Sequence, residues 1–584
     1  MNFWNIALPT LTLLAPAVAA FYFLLYGKAR LETAPNWGMV VFGLVILASV
    51  LGIAHFENPL RLEFLWPFSA EPSGYFEFTF QLHWSRYVWI LFSNFALLVF
   101  SVFDGHASFV GEKEGRFKFV LLAAISFFSS LAYLSENVFL SLLFVELTVF
   151  LLYAFGVLAE EGEVNQERLS YFKRSGFLFL ALLAILGLSF TKQFDLSSVM
   201  LLGAILYIMA FIFSRHSFSG WRYLALGLIQ AGAVFFLLGR VVTEDMSQEL
   251  LLPLSTIFGV TVAIFAWFSL VAATSLGSAF WTLFSMLSYL LFLRFSSGRH
   301  GDQFWGTYEA IALLSVLAIG GLLRFGRRAV GGGERAAAFL CSGLLLAIVC
   351  GAIPGVDIAG ARVATESPIK LLGLGLLTFL LSLIVGKALA LSFSKENPAP
   401  ENQKFYPGIL PSVAVLILQA AAVVKMTDLY GESPFRMGPA YLLTNPHIMV
   451  AGSAILVGLF AGALLGFNTR FVSWIKTKEV KMEELFPRID PAILGWNFRA
   501  VEAPRLAADW AKRRSNMISS RGALFLENSD RSVFGEKLYS GIRYYGNSLS
   551  TLTRYFHSGN IRAYIFWGAV ITLLASAIFL LEGR

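Results

Sequence analysis

Apolar runs of about 16 to 25 residues recur along this chain, and each is long enough to carry a helix across the hydrocarbon core of a bilayer. Inside a bilayer every backbone N–H and C=O must be satisfied within the protein, which restricts such runs to helices packed on one another. Roughly sixteen runs can be counted, with limits near 5–27, 38–54, 87–103, 118–134, 137–158, 175–190, 199–214, 221–239, 251–273, 279–295, 306–324, 336–353, 370–393, 408–425, 446–466 and 561–581. Only 14% of residues are charged, against about 25% in a soluble domain. The expected fold is therefore an all-α polytopic membrane protein with about sixteen transmembrane helices. The first run has no basic segment before it and is read as a spanning helix, not a cleaved leader. The link 55–86 contains FEFTFQLHW, whose alternation predicts a small β-hairpin outside the bilayer.

One run sets the functional question. Asn137 to Leu158, NVFLSLLFVELTVFLLYAFGVL, carries a single charge, Glu146, near its middle. A carboxylate at that depth costs a few kcal/mol or more, so it faces a polar interior and marks an ion path or a partner. Charge also orients the chain. The links after odd-numbered runs hold about thirteen Lys and Arg, against about seven after even-numbered runs, which puts the odd links in the cytoplasm and both termini on the other face. The implied location is a bacterial-type inner membrane.

The stretch 467–560 is too polar to span. It holds about fifteen basic residues, including Lys512-Arg513-Arg514, and apolar residues at helical spacing, as in Leu494, Phe498, Val501, Leu506 and Trp510. Pro487, Pro491 and Pro504 divide it. It reads as a long amphipathic lateral helical stretch lying on the cytoplasmic membrane surface or along neighbouring proteins, ahead of the last helix. The chain thus divides into N-terminal helices (1–134), a transmembrane core (135–466), the lateral stretch (467–560) and a C-terminal anchor helix (561–584).

Several residues in and after the Glu146 run resemble the antiporter-like subunits of respiratory complex I, of Mrp-type antiporters and of membrane-bound hydrogenases. Ser135-Glu136-Asn137, Phe144-Val145-Glu146 and Tyr153 carry the resemblance, followed by Glu167, Tyr171-Phe172 and Gly176. Gly559, Ile561 and Tyr564 are similar to the start of the last helix of the large L-type subunit. The resemblance implies an axis of buried ionisable residues that passes protons: a Glu, a Lys on the seventh helix, a His or Lys beyond it, and a Lys or Glu on the twelfth. Adjacent acids and bases shift each other's proton affinity, so occupancy can pass along such a row.

This chain departs from that pattern. Its seventh run, VMLLGAILYIMAFIFS, has no Lys. The family's Leu-Ile-His is Leu228-Ile229-Gln230 here, and Gln does not titrate. Arg362 stands near the family's Lys but does not release a proton, and Lys387 is the other deep base. The candidate path residues are accordingly Glu146, with Lys173 as its nearest counter-charge in sequence, Gln230, Arg362 and Lys387. A partial path with water filling the gaps and a mainly structural arm that has lost pumping both follow from this set. Lys387 lies about two turns from the end of its run, from where it can also snorkel to the cytoplasmic face. Arg294 and Glu309, near run ends, are expected at the interface.

Nothing in the sequence supplies a cofactor motif or a nucleophile–base pair, so redox chemistry would belong to partner subunits. Cys341 and Cys350 share one apolar run, the His residues lack metal-ligand spacing, and no basic–aromatic interleaving argues for nucleic acid. The implied partners are the lipid bilayer and other membrane-arm subunits of a redox or transport complex. The principal expectation is a membrane-arm subunit of a proton- or cation-translocating redox complex with a degenerate relay. The alternative is the membrane subunit of a two-component cation-driven importer, for example for inorganic carbon. A self-contained antiporter would keep complementary charges in both halves.

Overall fold

The computed structural model describes residues 3–26, 34–64, 78–103, 115–136, 138–159, 224–241, 248–272, 275–296, 302–325, 332–353, 368–393, 445–468 and 470–474. These fall in one unit, Met1–Ile475 with Glu582–Arg584. The second unit, Lys476–Leu581, lies outside the described residues, and with it the expected lateral stretch and last helix. The expected runs near 175–190, 199–214 and 408–425 are outside them too.

Among the described residues twelve helices form where apolar runs were expected, each within a few residues of the expected limits: α1 (Phe3–Tyr26), α2 (Ala34–His55), α3 (Trp84–Phe103), α4 (Gly115–Leu134), α5 (Val138–Ala159), α6 (Leu224–Val241), α7 (Gln248–Val271), α8 (Ser275–Ser296), α9 (Asp302–Phe325), α10 (Gly332–Val349), α11 (Pro368–Ser392) and α12 (Pro446–Phe467). Seven of these helices contain a stretch long and apolar enough to cross a membrane. The chain is an all-α polytopic membrane protein. Ser and Thr sit inside these apolar helices at little cost, because their hydroxyls bond back to the carbonyl one turn earlier. Thr12 donates to Leu8 O, Ser49 to Val45 O, Thr148 to Phe144 O and Ser382 to Thr378 O, all at 2.7–2.8 Å.

Helix α3 sits against α2, α4, α6 and α9. Its Trp84, Tyr87, Trp89 and Phe92 are all buried. Trp89 stacks on Tyr133 of α4, and both rings meet Phe236 of α6 edge-on. Two polar pairs lie in this seam: Tyr133 with Ser93 at 2.9 Å, and Ser126 with Asn94 at 2.5 Å. Outward faces are apolar. Ile257, Val260, Ile264 and Trp267 of α7 and Leu456, Val457, Phe460 and Leu464 of α12 are exposed, as suits helices surrounded by lipid.

The expected hairpin is present. Strands β1 (Leu60–Phe64) and β2 (Phe78–Leu82) pair antiparallel, with Leu60 opposite Leu82 and Phe64 opposite Phe78. It is tied to the α4–α5 corner, where Glu136 N–H donates to Thr79 O at 2.7 Å and the Glu136 carboxylate pairs with Arg61 at 2.7 Å. Arg86 finishes the tie by donating to Tyr133 O, Ser135 O and Gln81 Oε1. His83, just ahead of α3, is buried and shares a 2.7 Å bond with Ser85. Burial, then the neighbouring Arg86 charge, lowers its pKa to about 4, against a smaller opposing contribution from the Glu57 backbone.

Candidate functional site

Helix α11 is apolar over most of its length and places Lys387 five residues before its end. The side chain does not snorkel to the helix end. It is fully buried, and its ammonium reaches sideways to the C-terminus of α7. There it donates to Ser269 O at 2.8 Å, Leu270 O at 2.6 Å and Ala272 O at 2.7 Å. The reason lies in α7. A helix ends with four carbonyls that have no intrahelical donor and carry about half a negative charge. Buried, they need a donor, and an ammonium supplies three. The Ser278 hydroxyl, from the start of α8, adds a 3.1 Å bond to Ala272 O.

The backbone of Lys387 is held from the other side. Helix α12 presents Gly458, Gly462 and Gly466, one per turn, to α11. A Cβ on Gly462 would meet Leu383 O and lie 2.8 Å from Lys387 N, and one on Gly466 would lie 2.8 Å from Lys387 O. Only glycine allows the two backbones this close. Sequence reasoning picked out Lys387 but missed this glycine ladder, although the Gly-x-x-x-Gly-x-x-x-Gly spacing at 458–466 was legible.

A second buried ionic group corrects an expectation. Arg294 and Glu309 are not interfacial. Glu309 is fully buried, Arg294 is 6% exposed, and Arg294 Nη1 donates to Oε1 at 2.6 Å and Oε2 at 2.8 Å. Each lies near the end of its run in sequence, but α8 and α9 pack together there and enclose both. Gly239 of α6 faces the guanidinium: a Cβ there would lie 3.5 Å from it. The second half of the bundle is therefore not bare of charge. Beside this pair run further polar groups. Tyr308 donates to Val349 O at 2.7 Å, and Tyr289 meets Thr378 of α11 at 2.6 Å. Cys350 interacts with both Tyr289 and Thr378.

The other expected path residues are placed as follows. Glu146 is the ninth residue of α5; its side chain lies outside the described set. Gln230 is buried on α6, which packs against α5. Lys173 and Arg362 lie outside the described residues. Packing thus puts the helices in a row: α5 with Glu146, α6 with Gln230, α9 and α8 with Glu309 and Arg294, and α11 with Lys387.

A buried row of polar and charged groups inside an all-α bundle defines this protein at the level of class as a multi-pass membrane protein with an ionisable interior. No protein-family profile matches the chain, and no curated protein matches it in sequence. Solved structures similar in fold include the Mrp complex from Dietzia sp. DQ12-45-1b, at 13% identity over 81% of this chain and 100% of that one, with a TM-score of 0.45. A chain of the membrane-bound sulfane sulfur reductase, an archaeal respiratory membrane complex, matches at 13% identity over 78% and 99%, with a TM-score of 0.49. A chain of respiratory complex I from Thermus thermophilus matches at 13% identity over 77% and 99%, also with a TM-score of 0.49.

Proposed function

We propose that the chain is a membrane-arm, antiporter-like subunit of a multisubunit complex that translocates protons or cations, related to complex I or to membrane-bound hydrogenases. Glu146, Gln230 and Lys387 mark its path, with Lys173 and Arg362 as flanking charges. The observation that carries this role is the fully buried Lys387 ammonium on the last helix of the row. An ionisable group kept that deep in an apolar bundle is expensive and is normally kept for ion handling. The Leu228-Ile229-Gln230 segment has an amide where the resembled subunits titrate, so the relay is degenerate and the arm carries a structural share of the work. In this role the protein sits in a bacterial-type inner membrane with both termini outside the cytoplasm. The core 135–466 carries the path, and the lateral stretch 467–560 holds the neighbouring subunits.

The test is purification of the native protein in mild detergent, with mass spectrometry of what accompanies it. Iron–sulfur, quinone-reductase or hydrogenase-type subunits are expected. Glu146→Gln and Lys387→Gln in that complex should each lower ion translocation while leaving the redox half-reaction intact. Co-purification of a soluble zinc-enzyme-like partner would assign the chain to an importer instead. Purification alone, with cation exchange in liposomes, would refute the arm-subunit role.

A further inference from the structure

We propose that the carbonyls of Ser269, Leu270 and Ala272 form a monovalent alkali-cation site that Lys387 fills as a tethered cation, and that a free ion takes the site when the lysine is neutral or absent. This rests on the path role proposed for Lys387 and names the ligand class of that site. The geometry is that of a cation cage. Three oxygens from the last turn of one helix end converge on a single positive nitrogen at 2.6–2.8 Å, on a side chain that is fully buried. Carbonyls at helix ends and unwound backbone replace the hydration shell of alkali ions inside membrane proteins. The three ligands are neutral, and the helix end adds about half a negative charge. That balance suits a single positive charge, and a divalent ion would want carboxylates.

A second observation lies at the same residue. The Ser269 hydroxyl is buried with no hydrogen-bond partner among the described residues. It is an oxygen that a small ion, unlike the already saturated ammonium, has spare coordination to use. The site also has a fixed and a movable part. Gly462 and Gly466 approach the Lys387 backbone closely and Ser278 holds the Ala272 carbonyl, which leaves the lysine side chain as the part that moves in exchange. The balance is simple. The ammonium loses one proton to the path and becomes an amine, the amine withdraws, and one alkali ion enters. The charge in the cage stays at one, so proton and cation occupy the site in turn and never together.

The test uses the full-length purified protein, with Lys387→Ala and with Lys387→Met. Thermal unfolding is followed in sodium, potassium and rubidium chloride and, at equal ionic strength, in N-methyl-D-glucamine chloride. The expected result is a saturable rise in melting temperature with at least one alkali ion in both variants. N-methyl-D-glucamine should have no effect, and wild type at neutral pH should show no such shift. Folded variants that respond to no alkali ion, or equally to N-methyl-D-glucamine, overturn the site. So does a wild-type shift as large as the variants', which would put the ion elsewhere. If the variants fold poorly, recovery of a monodisperse protein when alkali chloride is present during solubilisation supports the site, and failure in every salt overturns it. Because binding is read on the chain alone, a negative result removes the cage and leaves the subunit role standing. A wrong partner complex does the reverse.

Discussion

Removing either half of the Arg294–Glu309 pair should be among the most damaging single changes in the described bundle. The two nitrogen–oxygen bonds are 2.6 and 2.8 Å, and the two side chains are 5% and 0% exposed. At an effective dielectric of about 20, two unit charges about 2.7 Å apart attract by roughly 6 kcal/mol, and desolvation takes back a large share. What counts for a single mutant is the charge left behind. Glu309→Leu strands a guanidinium, Arg294→Met strands a carboxylate, and each should cost about 3–5 kcal/mol. The double variant Arg294→Met with Glu309→Leu leaves no stranded charge and should lie much nearer wild type, or above it by about 1–4 kcal/mol. The assay is reversible unfolding in mixed detergent micelles, read by tryptophan fluorescence across the four proteins of the cycle. Singles within about 1 kcal/mol of wild type would refute the reasoning, since the stranded charge must then reach water or another counter-charge.

Three further outcomes follow from the geometry. Gly462→Ala should force α12 away from α11 at a cost of about 1–3 kcal/mol and lower ion translocation with it, whereas Gly452→Ala, whose Cβ would meet nothing within 4 Å, should be silent in the same unfolding assay. The His83 pKa is about 4 in the fold against an ordinary value near 6.5. The fold therefore favours the neutral ring, its contribution is complete above about pH 6.5, and it is lost as pH falls toward 4. Hydrogen exchange of the β1–β2 hairpin should rise over that window in wild type and lose this pH dependence in His83→Gln. Tyr289→Phe removes the 2.6 Å bond to Thr378 and should cost about 0.5–1.5 kcal/mol, seen as a lower melting temperature with the bundle otherwise intact.

Much of the fold could be read directly, because bilayer length and apolar composition together leave a segment little choice but a helix. The limits of α5 and α12 show this, and the hairpin at 60–82 was legible separately, from its alternation. The site was harder to read. Lys387 stood out as a charge in an apolar run, but its partners are main-chain carbonyls more than a hundred residues away, and backbone atoms leave no mark in the identity of Ser269, Leu270 or Ala272. Arg294 and Glu309 misled for a related reason. Nearness to the end of a run says where a residue sits along a helix, and says nothing of which helix closes over it. The aromatic Tyr289 and the thiol Cys350 gave no periodic signal at all; their polar ends matter only because α11 brings Thr378 to them.

The Lys387 bonds also set a timetable for biosynthesis. The lysine is 115 residues downstream of Ala272. At about 5–20 residues per second, the α7 carbonyls are made roughly 6–23 s before the group that satisfies them. Over that interval the end of α7 must borrow its donors from water or from the insertion machinery. When α11 arrives it brings a charge that a lone helix would insert at a penalty of about 3 kcal/mol. Each segment carries what the other lacks, so the two should enter the bilayer as a coupled pair, and a chain stalled between them should remain accessible to water at the α7 end.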